Sequence, residues 1–396
     1  MSDSTSSALA LGVLAAAAAL AQLVELALGA RRVPELGDAP ALALVPQPDG
    51  APLVSVVVAA RDEAHTVAAG LRSLRALGGP AGAAAVEIVL VDDRSTDGTG
   101  DVARQAAEGD PRVHVVRVDA LPDGWLGKTH ALQRGAERAR GRWLLFTDAD
   151  VVFAPDALAR LVGLAESQGA DHVAAGPGLE LRTWPLALVV NHFLLAFLLY
   201  VRPWRVPDPR ARAAVGVGAC NLVRASAYRA IGGHTPVRLR PDDDVALGRA
   251  LKRSGARPVF AHGGPLVRVA WYDSLGAFAR GLEKNAYAGM EYRAWLAVAA
   301  VLGTVALYVG PLVGAALADG VARWLFAAAA LAQCVMYAAL ALRERTRPWL
   351  ALLYAVAAVL FAWIVARAVW LTVRRGGVEW RGTHYPLAQL RTNRVP

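Results

Sequence analysis

Two aspartates, Asp148 and Asp150, stand one residue apart where the apolar run "RWLLFTDAD" (142–150) ends. Carboxylates at that spacing, just past a buried strand, offer hard oxygen ligands that suit Mg2+ or Mn2+. An ion held there bridges a diphosphate. The tripeptide alone also fits a turn or a helix cap. Two more acid pairs, Asp62-Glu63 and Asp92-Asp93, close other strand-like runs. Three successive acids, Asp242–Asp244, open the helical stretch "VALGRALKRSG". The dipole of a helix N-terminus favours an acid, but a cap accounts for one carboxylate, not three.

Those acids need a scaffold that brings them together. Residues 52–271 alternate two periodicities. "LVSVVVAA" (53–60), "VEIVLVDD" (86–93), "RVHVVRVD" (112–119) and "RWLLFTDAD" read as strands, the first being β-branched and continuous like a strand buried on both faces. Between them lie "TVAAGLRSLRALGG", "STDGTGDVARQAAEG" and "HALQRGAERARG", which read as helices, and Pro155 opens another. The βαβα order predicts an α/β fold with a mostly parallel sheet, in which ligands bind at the carboxyl ends of the strands. The acid pairs fall at those ends. No phosphate-binding GxxxxGK[ST] loop is present, and no GxGxxG follows the first strand, so neither a P-loop nor a dinucleotide site is indicated.

Five ordered segments carry a resemblance: "VSVVVAARDEA", "VEIVLVDDRSTDGT", "GKTHALQRGAERARGRWLLFTDAD", "GACNLVRASAYRAIGG" and "PDDDVALGRALKRSG". In this order they resemble family 2 glycosyltransferases of the GT-A fold, over roughly residues 52–290. "FARGLEKNAYAGM" and "VEWRGTHYPL" are similar to stretches of membrane-bound bacterial enzymes of that family, those acting on hopanoid or carotenoid acceptors and the ceramide-glucosyltransferase-like proteins. The resemblance implies a nucleotide-sugar donor, usually a UDP-sugar, a divalent metal (Mn or Mg), and inversion by a single displacement. It implies that Asp92 or Asp93 holds the uracil edge, that Arg61 and Glu63 line the nucleotide pocket, and that Lys128 approaches the donor. Asp148 and Asp150 become the DxD pair, with Asp150 the more direct metal ligand. The acid pair that supplies the base is Asp243-Asp244 here, making Asp244 the base, although Asp243 stands where a glutamate is usual and the run of three leaves the register open by one. The Asn often found after the lysine motif is Gln133. The Arg-Trp ending of the lipid enzymes is not clean, and Arg280 with Lys284 is its expected substitute on the diphosphate or acceptor side. At i and i+4 these two share a helical face, which also suits a solvated basic surface. His262 is a further metal candidate against a plain turn histidine. Trp380 and Tyr385 either line the site or anchor at the membrane interface.

The chain has 396 residues, 55% of them hydrophobic, and a formal charge of +9. Only three of its 42 basic residues are lysines, Lys128, Lys252 and Lys284. No basic and aromatic residues interleave in a compact patch, so nucleic acid is not the expected partner. Cys220 and Cys334 are far apart and form no disulfide or metal pattern. Residues 8–30 are almost wholly apolar, and at 1.5 Å per residue such a run reaches roughly 35 Å, enough for a ~30 Å hydrocarbon core. Arg31-Arg32 follow it, which predicts a cytoplasmic start to the domain and a multi-pass protein of the cell membrane. The expected organisation is a membrane helix in 1–32, a catalytic domain over 52–290, membrane helices over 294–373 and a basic tail over 374–396. Within the domain, 184–201 reads as a helix lying on the bilayer, or as a core helix. Three apolar runs, near 294–318, 324–342 and 348–373, cannot all cross if the domain, the basic loop 343–347 and the basic tail share one side. One run is then re-entrant or interfacial, or the tail departs from the charge rule.

A glycosyltransferase with a membrane-lipid acceptor is the function these features favour. A processive polysaccharide synthase and a non-catalytic membrane scaffold with a decayed nucleotide-sugar domain stand beside it. Few spans for an export channel speak against the first, and intact acids at the strand ends against the second.

Overall fold

The four strands read from the apolar runs form, and four more join them. In the computed structural model, which describes residues 3–393, the strands are β1 (Val54–Ala60), β2 (Val86–Asp93), β3 (Val113–Val118), β4 (Trp143–Asp148), β5 (Val151–Phe153), β6 (His172–Leu179), β7 (Asn221–Arg224) and β8 (Pro258–Val269). They lie in the order β3-β2-β1-β4-β7-β6-β8-β5. The β3-β2-β1-β4 half is parallel throughout, whereas β7 runs antiparallel to both β4 and β6, and β5 antiparallel to β8. β6 and β8 are parallel, so the sheet is mixed with parallel pairing in the majority.

Strand periodicity sends alternate residues into two different cores. Val54, Val56 and Val58 pack with Leu71, Leu90, Leu145 and Leu161 on one face. Val57 packs with Leu132, Leu144, Phe146 and Leu247 on the other. β2 is buried at every position, which explains its unbroken apolar run. The chain steps from β1 through β2 to β3 on one side, then returns to lay β4 on the other side of β1. That reversal opens a crevice beyond the carboxyl ends of β1 and β4, the usual place for a ligand in such sheets.

Among the described residues four helices are long and apolar enough to cross a membrane: Thr5–Ala30, Trp184–Arg205, Gly320–Arg343 and Pro348–Arg374. The run expected at 294–318 is instead two shorter helices, Ala294–Tyr308 and Gly310–Leu317. The first and the third long helices run parallel. Gly12 lies against Ala322, Gln333 donates to Gln22 at 3.2 Å, and Arg343 pairs with Glu35. Glu35 in turn bridges to His262 of β8, so both helices end beside the domain. The helix Trp184–Val201 is wedged between domain and bundle. Leu186, Val189 and Val190 meet Phe278 and Leu282, while Ala187, Leu188 and Leu195 meet Leu26, Tyr337 and Tyr354.

The helix Tyr354–Arg374 starts in that same junction and is tied to the domain again at its end, where Arg367 and Arg375 both bond Glu283. The chain then forms a hairpin, β9 (Gly377–Trp380) and β10 (Thr383–Pro386), and a short helix, Leu387–Thr392. Tyr385, Leu387 and Leu390 pack with Leu126, Leu239 and Tyr287, and the Asn393 side chain accepts from Leu239 N and donates to the Pro236 carbonyl. The basic tail therefore folds against the domain.

Candidate functional site

The crevice is a cavity of about 260 Å³ lined by Arg61 and Glu63 after β1, Asp93 at the end of β2, Lys128, and Asp148 and Asp150 at the end of β4. Trp271, Tyr272, Lys284, Trp380, Arg381 and Tyr385 complete it. Close backbone packing fixes the acids. A Cβ on Gly70 would lie 2.3 Å from the Ala149 carbonyl oxygen, so only glycine lets the helix Val67–Arg75 press on the turn that carries Asp148 and Asp150. A Cβ on Gly216 would lie 1.8 Å from the Asp244 carbonyl oxygen, which makes Gly216 the equivalent seat for the second acid cluster.

Adjacent residues of β2 point to opposite faces, and this separates Asp92 from Asp93. Asp93 faces the cavity, where Arg94 holds its two oxygens at 2.8 and 3.1 Å and Arg61 stands at 3.8 Å. Asp92 turns away, accepts from Ser95 N at 3.1 Å and faces Gly100 of the helix Thr99–Ala107. Glu63 is bonded by Arg381 and by the Thr66 hydroxyl. Of the basic pair expected on one helix, Lys284 lines the cavity while Arg280 is exposed outside it. Lys284 sits 4.2 Å from the Trp380 ring, a cation–π contact that holds it in place. Its pKa is depressed, first by burial and then by the nearby charge of Lys128. His262 lies in β8 against Phe260 and does not line the cavity.

Lys128 joins the two acid groups. Its Nζ is 2.7 Å from Asp148 and 3.8 Å from Asp243. Burial alone would lower its pKa, but the charges of Asp148, Asp243 and Asp244 outweigh burial and hold it protonated. Burial works to raise Asp148, and Lys128 overrides that and keeps it ionised. Asp150 lacks such a partner. It is pushed up to about 6 by burial and by the charges of Asp148 and Glu63.

Those two carboxylates set the terms for a metal. Among the described residues no group of three or more His, Cys, Asp or Glu side chains converges as a closed cage. An ion such as Mg2+ or Mn2+ takes one or two carboxylates and completes its shell with water and substrate phosphates. Asp150, half-buried beside two acids without a cation of its own, fits that role, and Asp148 stands next to it. The residues present fit a hard divalent ion of this kind.

The run of three acids divides into three environments. Asp242 is locked by the buried Arg240 at 2.9 and 2.7 Å, and Arg240 also holds Glu291 at 3.0 Å. Asp243 is buried and pushed up to about 7, chiefly by burial, with Lys128 opposing. Asp244 is partly accessible. Its Oδ2 accepts from Gly218 N and its Oδ1 from Val245 N, both at 2.8 Å. Burial raises its pKa as well. A small second cavity holds Asp243 and Asp244 and shares Lys128 and Asp148 with the first.

Arg381, Trp271, Tyr272 and Arg240 are site residues the sequence reading missed. Gly382 was the one local turn signal at the hairpin tip that carries the first of them.

Residues 55–230 match the model of Glycosyl transferase family 2. The chain is similar to succinoglycan biosynthesis protein ExoO of Rhizobium meliloti, 38% identical over 125 residues, covering 32% of this chain and 33% of that protein. It is also similar to beta-monoglucosyldiacylglycerol synthase of Nostoc sp., 32% identical over 117 residues, or 30% and 24% of the two chains. It thus spans about a third or less of the length of these curated relatives. Among solved structures it is similar to the mannosyltransferase PcManGT from Pyrobaculum calidifontis in complex with GDP-Man and Mn2+. There the TM-score is 0.51 at 20% identity, covering 92% of this chain and 98% of that one, a likeness of fold.

Proposed function

From the family 2 glycosyltransferase domain that residues 55–230 form, we propose that this protein moves a sugar from a nucleoside-diphosphate donor, of the UDP-sugar class, to a hydroxyl of a membrane lipid. The observation that carries the reading is the single cavity at the ends of β1 and β4, where Arg61, Asp93, Lys128, Asp148 and Asp150 meet, with Asp244 reached through Lys128. Asp93 and Arg61 receive the nucleoside end. Asp148 and Asp150 hold a divalent ion, which when bound neutralises charge on the leaving diphosphate. Lys128 keeps Asp148 ionised and ties it to Asp243.

Transfer is a single displacement. The acceptor oxygen bonds to the anomeric carbon as the bond from that carbon to the phosphate oxygen breaks, and the nucleoside diphosphate leaves with that electron pair. The hydroxyl proton passes to Asp244, whose two backbone hydrogen bonds fix its carboxylate while leaving each oxygen a free lone pair. One base suffices for inversion.

The membrane arrangement supports a lipid acceptor. The cavity wall at Lys284 belongs to the helix Leu275–Asn285, which packs on the wedged helix Trp184–Val201 and on Tyr354–Arg374. Exposed Trp184, Trp295, Trp349, Trp363 and Trp370 suit the interfacial belt of a bilayer. Domain and tail lie on one side, the cytoplasmic side, so the segment between them crosses an even number of times. An excursion through 294–317 and back through 320–343 meets that parity, with 354–374 lying along the interface. Reporters inserted after Ser167 and fused beyond the tail are both expected to read cytoplasmic. Opposite readings would refute the shared side.

Nucleotide release from purified protein tests the activity. UDP release from UDP-hexoses is expected only when a lipid extract is added, together with a glycolipid product. Polymer formed without lipid would favour a synthase, and no release with any nucleotide sugar a scaffold.

A further inference from the structure

Arg381 stands at the tip of the β9–β10 hairpin, outside residues 55–230 that match the family. Trp380 pairs with Thr383, and the two residues between them, Arg381 and Gly382, have φ of +48° and +73°. Two left-handed residues in a two-residue loop make the tight turn that matches strand twist, and its first position favours Asn, Asp or Gly. A long cationic side chain there is a poor choice for the turn alone.

The placement has another use. The guanidinium reaches over the cavity, bonds the Glu63 carboxylate and stands 3.5 Å from the Asp62 carbonyl. Four cations line this space: Arg61, Lys128, Lys284 and Arg381. Arg61 and Lys128 face the acids that fix the two ends of the site, and Lys284 rests on the Trp380 ring. Arg381 alone reaches in from the tail, and its partner Glu63 sits on an exit loop beside β1. The hairpin that carries it is anchored firmly behind the tip, through Tyr385, Leu387, Leu390 and Asn393. Even while bonded to Glu63, the Arg381 side chain lines the cavity.

We propose that Arg381 is a diphosphate-binding residue of the donor site, resting on Glu63 until a nucleoside diphosphate enters, and that Trp380 positions Lys284 beside it. The inference rests on the proposed donor class. A planar guanidinium matches the paired oxygens of a phosphate, and charge-assisted bonds of this kind are the strong ones.

The test uses the full chain in detergent, with Mn2+ present. UDP and UMP are titrated by calorimetry, GDP and GMP in parallel, and the base that wild type binds is followed. Arg381→Gly keeps the turn, because glycine prefers both of its dihedrals, while the charge is lost. It is expected to weaken diphosphate binding by roughly 10- to 100-fold and monophosphate binding by less than about 3-fold. Arg381→Lys, which keeps charge without the fork, falls between. Unchanged diphosphate affinity in Arg381→Gly, or an equal loss for both nucleotides, would overturn the inference. A wild-type chain that binds no nucleoside diphosphate would instead sink the functional reading on which it stands.

Discussion

Asp244→Asn is expected to lower turnover by about 10²–10⁴-fold, the usual worth of a positioned general base, and to leave donor affinity close to wild type. The amide keeps the shape and can still accept from Gly218 N through its oxygen, so the loop stays seated. It cannot take up the acceptor's proton. Asp243→Asn is the control, because Asp243 is the deeper of the two and faces Lys128 rather than open space. It should cost less in turnover than Asp244→Asn. The measurement is turnover beside calorimetric donor titration for each variant. If Asp243→Asn reproduced the whole catalytic loss while Asp244→Asn did not, the base would be Asp243.

Asp150→Ala acts on a different quantity. Removing this carboxylate takes away the acid that has no cation of its own, so donor binding should lose its dependence on Mn2+ and transfer should fall by at least about 10²-fold. Asp148 is engaged by Lys128 at 2.7 Å, so the second carboxylate does not compensate. The check is donor titration with and without Mn2+. An Asp150→Ala chain whose donor affinity still rises with Mn2+ would place the ion elsewhere. Together the two variants separate metal from proton, because Asp150 sits in the turn after a core strand while Asp244 opens a helix much later in the chain.

β1, β2 and β4 were readable because they are buried on both faces and therefore continuous in sequence, while β3, a part-exposed edge strand, read through its valines. β6 and β8 were not, since "HVAAGPGL" and "PVFAHGGPLVRV" carry glycines and prolines that break the pattern, and β7 has only four residues. The cavity acids were legible as strand-end pairs, but their division was not. Which of Asp92 and Asp93 faces inward depends on the pleat, and Arg94 beside Asp93 is the local sign of it. Arg280 and Lys284 share a helical face by spacing, yet only Lys284 has a neighbour, Trp380, that draws it inward. That neighbour arrives from a segment nearly one hundred residues away, across the membrane runs, and no local pattern reports such a contact.

The hairpin's reach into the cavity also sets an order of assembly. During synthesis the sheet and its acids emerge first, and Trp380, Arg381 and Tyr385 emerge only after every apolar helix has been made. A nascent domain alone has an unfinished cavity. Completion of the cavity thereby waits until the last of the long apolar helices has been made.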